Sequence, residues 1–116
     1  MATTNEISVL KSMQHACRNI ISVSNAFVNA NDLTDKEIVF DNVYMNLVVI
    51  SEANMKISDK TKAEFDIIRW DNIESYTAEI VSDYHAVDIG KIVAVCKYLV
   101  PSLITKLDKI ISQLAD

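Results

Sequence analysis

With 116 residues, half of them hydrophobic, the chain can build one packed core and not two. One glycine, Gly90, and one proline, Pro101, exclude a sandwich or barrel of short strands, which needs a turn residue at nearly every reversal. A formal charge of −5 and only two arginines, Arg18 and Arg69, are a poor footprint for nonspecific nucleic-acid binding. The lysines are dispersed, which leaves room for a small basic patch and not for a stripe.

Few breaks and long periodic runs predict an all-α, up-and-down bundle of four principal helices with one short extra piece. Thr3 and Glu6 have capping-box spacing. They open a first helix over roughly 4–28, whose apolar stripe is Ile7, Leu10, Met13, Cys17, Ile20, Ser24 and Val28. "NANDLTD" ends it with turn-favouring Asn and Asp. Thr34 and Glu37 repeat the capping-box spacing and open a second helix to about Ile57. Val43, Leu47, Ile50 and Ala53 form its apolar face, which Tyr44, Val48 and Met55 widen. This helix is expected to be the most buried, with Asn46 as a polar residue inside it.

A turn and a short helical piece near Thr61–Phe65 follow, then a docking segment with Ile68 and Trp70. A third principal helix is expected from about Asp71 to Tyr84, with Ile73, Tyr76, Ile80 and Tyr84 on its apolar side. "HAVD" breaks it, and Asp88 is a suitable N-cap for the last helix. That helix carries Ile89, Ile92, Val93, Cys96, Leu99, Leu103, Leu107, Ile110 and Leu114. Pro101 lies inside it and predicts a kink near Lys97–Pro101.

The chemistry-bearing residues are sparse. His15 and His85 are the only histidines, and neither has a metal-ligand spacing, so no metal and no cofactor is expected. A single glycine rules out Gly-rich phosphate loops. Cys17 and Cys96 fall in apolar helical patterns and read as buried reduced thiols. The first residues lack a basic segment followed by an apolar one, and no apolar run reaches membrane-spanning length. A cytoplasmic, soluble protein is the expectation. Apolar residues on more than one side of the last two helices, including Tyr76, Val81, Val87, Val93 and Tyr98, point to a homodimer.

From Trp70 onward, "WDNIESYTAEIVSDYHAVDIGKIVAVCKYLVPSLITKL" resembles the C-terminal half of HepT-like proteins of the HEPN superfamily. Trp70, Ile73, Tyr84, Val87, Asp88 and Pro101 match that pattern in order. Upstream, Asn46, Leu47, Ile50, Glu52 and Ala53 match the second-helix stretch, with Ser51 in the usual glycine place. The resemblance covers roughly residues 5–114. It implies an all-helical homodimer whose active members are metal-independent endoribonucleases. They are the toxins of HepT/MntA-type systems, beside a nucleotidyltransferase antitoxin. In some members the antitoxin adds AMP to the motif tyrosine, which Tyr84 matches.

The resemblance also shows a departure. Thr77 stands at the catalytic Arg position and Ser82 at the catalytic His position. Cleavage through the 2′-hydroxyl needs a base near neutral pKa and a cation for the added phosphorane charge. Neither hydroxyl supplies them. The expectation is a ribonuclease-inactive dimer that works through protein binding, with Asn46, Glu52 and Asp83 in a vestigial groove where Asp83 would repel RNA. Two other readings stay open at this point. One is an active nuclease with His85 as a displaced base beside Lys91 or Lys97. The other is an unrelated helical interaction protein.

Overall fold

The computed structural model describes the backbone of residues 2–29, 33–82 and 89–114, and the side chains of 2–24, 40–82 and 90–114. Helix α1 spans Thr4–Asn29, α2 Leu33–Lys56, α3 Asp59–Glu64 and α4 Trp70–Ser82. The last segment runs as α5 (Ile89–Ala94), a π-helical turn (Val95–Leu99) and α6 (Val100–Leu114). No strand occurs among the described residues.

The start of α1 is fixed by the capping box that its sequence predicts. The Glu6 N–H donates to Thr3 Oγ1 at 3.1 Å, and the Thr3 N–H donates to Glu6 Oε1 at 3.3 Å. Glu6 also does something its spacing does not announce. It accepts from the Ser58 N–H at 2.9 Å and from Thr61 Oγ1 at 3.0 Å, which ties the first turn of α1 to the α2–α3 corner. Ser58 in turn caps α3, its Oγ accepting from the Thr61 N–H.

At ~1.5 Å per residue, 26-residue α1 extends along most of the 47 Å long axis. It packs on α2 and on α6, and α2 packs on α4. The core between them collects Leu10, Met13, Cys17 and Ile20 of α1 with Val43, Leu47 and Ile50 of α2. Ile73 and Ile80 of α4 and Leu103, Leu107 and Ile110 of α6 complete it. Ile68 and Trp70 dock as expected, and the Trp70 Nε1–H donates to the carbonyls of Lys62 and Phe65.

Several details differ from the periodicity. α2 begins at Leu33, before Thr34, because a helix can start a residue or two ahead of its strongest capping pattern. Met55 is 77 % exposed, since the buried stripe runs Ile50, Ala53, Asn54 and Ile57 and Met55 lies off it. On α4 the buried face is Trp70, Ile73, Thr77 and Ile80, and Tyr76 stands outside it. Tyr76 and Thr77 both lie at helical spacing from Ile73 and Ile80, and the packing of α4 buries Thr77 rather than the more apolar Tyr76. The expected N-cap Asp88, and Tyr84 and Val87, lie outside the described residues, as does the side chain of Val28.

Pro101 perturbs the last helix without ending it. It has no N–H, and its ring crowds the carbonyl four residues back, that of Lys97. The chain widens there into a π turn, in which the Val100 N–H reaches the Val95 carbonyl. α6 then continues to Leu114.

Both cysteines are free. Burial pushes the Cys17 thiol up to about 12, with the Asp108 carboxylate adding to the shift, and burial pushes Cys96 up to about 11. The thiolate is the reactive form. Native protein at pH 8 is therefore expected to react with a disulfide reagent far more slowly than unfolded protein. Fast release by two thiols in the native state would contradict this packing.

Candidate functional site

The motif segment on α4 carries two hydroxyls that do not converge. Thr77 is 1 % exposed, and its Oγ1 donates to the Ile73 carbonyl at 2.6 Å. Ser82, the last residue of α4, is exposed and donates to the Glu79 carbonyl at 3.0 Å. Five helical residues turn through about 140°, so one position faces the core while the other faces solvent. Each hydroxyl is engaged by its own helix backbone. Such a bond satisfies the hydroxyl's donor locally, and an aliphatic hydroxyl has no pKa near 7 with which to act as a general acid or base.

Asp83, Tyr84 and His85 lie outside the described residues. Lys91 of α5 forms an ion pair with Glu79 of α4, and Lys97 is exposed on the π turn. Glu52 is exposed on α2. Asn46 faces α1: its Oδ1 accepts from Asn19 Nδ2 at 3.2 Å, and its Nδ2 donates to the Asn42 carbonyl at 2.8 Å. It lines a shallow polar groove with His15, Ser12 and Lys11. Tyr44, two positions earlier on α2, points instead toward α4 and donates to the Val81 carbonyl at 2.9 Å. This pins the end of α4 to α2. The structure thus places Asn46 in an α1–α2 groove, away from the buried Thr77.

A second concavity lies where α4 meets the last helix. α4 packs chiefly on α2 and touches α5 and the π turn only lightly. The resulting cleft has a volume of about 190 Å³. Its floor is aliphatic: Ile68, Ile73, Leu99 and Leu103. Tyr76 and Tyr98 line it and are 43 % and 68 % exposed. Arg69, Lys106, Asn72 and Ser102 supply its polar groups, and no carboxylate among the described residues lines it. Sequence reading placed Tyr76 on the apolar side of its helix and counted it with Tyr98 among the apolar residues that point to a homodimer. Arg69, Ser102 and Lys106 carried no signal, because they come from separate elements that only the fold brings together.

No group of three or more His, Cys, Asp or Glu among the described residues is placed to hold a metal ion. No helix among them is long and apolar enough to cross a membrane.

The helix order and the packing of α1, α2, α4 and α6 define an all-α bundle, consistent with the HEPN type. The family model described as ribonuclease HepT-like matches residues 13–110, and the chain belongs to the HepT-like family. No curated protein and no solved structure matches it.

Proposed function

We propose that this chain is a HepT-like, toxin-type protein of a toxin–antitoxin pair that has lost ribonuclease activity and acts through protein binding in the cytoplasm. The observation that carries this reading is the state of Thr77 and Ser82. The residues at the catalytic Arg and His positions are hydroxyls facing different directions, each bonded to its own helix. General acid–base catalysis is worth about 10²–10⁴-fold, and the missing cation removes charge stabilisation besides. The retained task is association with a second copy of the chain and with a nucleotidyltransferase antitoxin. Exposed Tyr76 and Tyr98 support a self-associating surface around α4 and the last helix. Tyr84 remains the tyrosine that such a partner would modify.

The test is a single-stranded RNA cleavage assay on the wild-type protein, run beside growth measurements on expression. The expected result is no cleavage above background and no growth arrest, with a light-scattering mass near twice 13.0 kDa. Wild-type cleavage abolished by His85→Ala would establish the displaced-base nuclease instead. A strictly monomeric mass would remove the dimer from the proposal.

A further inference from the structure

We propose that the outer groove between α1 and α2 docks an acidic amphipathic helix of a partner protein, its carboxylates meeting Lys11 and His15 and its apolar side resting on Val49 and Met45. The inference goes beyond the proposed function and does not depend on it.

Position comes first. Two antiparallel helices leave a groove on each side of their contact. On the inner side, Leu10, Met13, Val43 and Leu47 enter the core together with residues of α4 and α6. The outer groove is lined from α1 and α2 alone, away from the α4 surface assigned to self-association. Its α1 wall runs from Ser8 to Asn19, a rise of about 16 Å or three helical turns.

The shape suits a helix. Ser8, Ser12 and Ala16 recur every four residues on α1 and make a low ridge, against which another helix can close. Ala16 is buried, while Val49 on the opposite wall is 38 % exposed. Met45, one turn before Val49 on α2, is 62 % exposed and continues the apolar strip. The Asn19 Nδ2 donates to Asn46 Oδ1 at 3.2 Å across the two helices, which fixes the width of the groove.

Charge selects the partner. In a chain of net charge −5, Lys11 and His15 line this groove and no carboxylate among the described residues does. Both are exposed, and neither has a hydrogen-bond or ion-pair partner among the described residues. They stand four residues apart on one face of α1, the spacing of carboxylates one turn apart on a docked helix. The ammonium carries a full charge, and the imidazole donates a hydrogen bond in either protonation state. The polar groups are spread along three turns and do not converge, which favours an elongated partner over a compact anion. No Phe, Tyr or Trp among the described residues lines the groove to stack a base, and two cations are few for a phosphate backbone. A helix laid in a groove is the recognition mode that remains. One helix of three turns covers less than the roughly 1,200–2,000 Å² of a standard interface, so the groove by itself binds weakly.

NMR of the ¹⁵N-labelled full chain tests this with a helical peptide of about 14 residues, Leu at steps of three and four and Glu between them. Its twin with Lys for every Glu and a single-stranded oligouridine are the parallel ligands. The acidic peptide is expected to move the backbone signals of Lys11, Ser12, His15 and Val49 and to saturate below about 1 mM, with the Lys twin at least about tenfold weaker. Lys11→Glu should weaken the acidic peptide about tenfold and strengthen its twin. Val49→Ala should weaken the acidic peptide about threefold to tenfold. Ser82→Ala, remote from the groove, should leave binding unchanged. Circular dichroism checks that each variant keeps its helices. Five results would overturn the proposal: no groove signal moved by about 1 mM acidic peptide, equal binding of the two peptides, binding insensitive to Lys11→Glu, groove signals moved more by oligouridine than by peptide, or groove signals that move with protein concentration alone. The last would assign the groove to a second copy of the chain. RNA cleavage by the wild type bears only on the proposed function, and the peptide titration only on this one.

Discussion

Replacing Thr77 by arginine is expected to lower stability by about 3–5 kcal/mol, the range for an unpaired charge forced into a core. The side chain is 1 % exposed and sits on the α4 face that carries Trp70, Ile73 and Ile80. A guanidinium there would displace packed aliphatic groups and lose its water without gaining a counter-charge. For a domain of this size 1 kcal/mol shifts Tm by about 4 °C, so the melt should drop by about 12–20 °C. Thr77→Val, which keeps the shape and loses only a hydroxyl already engaged within α4, should stay within about 1 kcal/mol of wild type. Ser82→His, at an exposed helix end, should stay within about 0.5 kcal/mol. Thermal melts by circular dichroism separate the three. A Thr77→Arg protein as stable as wild type would mean that this face of α4 opens easily and that the catalytic geometry lies within reach. The expected result has a practical consequence: restoring Arg and His together is no clean test of lost activity, because the first change attacks the fold.

Loss of the Glu6 carboxylate should be the next most damaging change, and it carries a pH signature. The carboxylate accepts from the Thr3 backbone within α1 and from Ser58 N–H and Thr61 Oγ1, and the last two bonds tie α1 to α3 and its cap. The Ser58 backbone N–H is the main reason its pKa is pulled down, from 4.5 to about 2, against a burial effect that acts the other way. A carboxyl that is more acidic folded than unfolded adds stability that is fully present above about 4.5. That contribution fades as pH falls and is gone below about 2. Glu6→Gln should therefore lower Tm at pH 7 and flatten the dependence of Tm on pH between those values. The fall at pH 7 should exceed that of Ser58→Ala, which loses one helix cap worth about 1 kcal/mol. Equal acid sensitivity in wild type and Glu6→Gln would show that another carboxylate controls acid unfolding.

The sequence by itself determined the helical class, the places of the long helices and most of the core. These follow from local rules: apolar residues at steps of three and four, capping-box pairs, and a lack of Gly and Pro. Leu10, Met13, Cys17, Ile20, Val43, Leu47 and Ile50 are buried where their spacing puts them. The family pattern was legible for a related reason, since its residues stand in order along the chain, and the family model matches residues 13–110. The tertiary structure decided what spacing cannot express. Thr77 and Tyr76 are adjacent in sequence, and only the packing of α4 shows that the hydroxyl goes inward while the ring stays out. Glu6 read as a helix cap, and only the arrival of Ser58 and Thr61, 52 and 55 residues later, makes it a tertiary anchor. The cleft of Arg69, Tyr76, Tyr98 and Lys106 has no sequence signature at all, because α4 and the last helix meet there through contacts that linear periodicity does not encode.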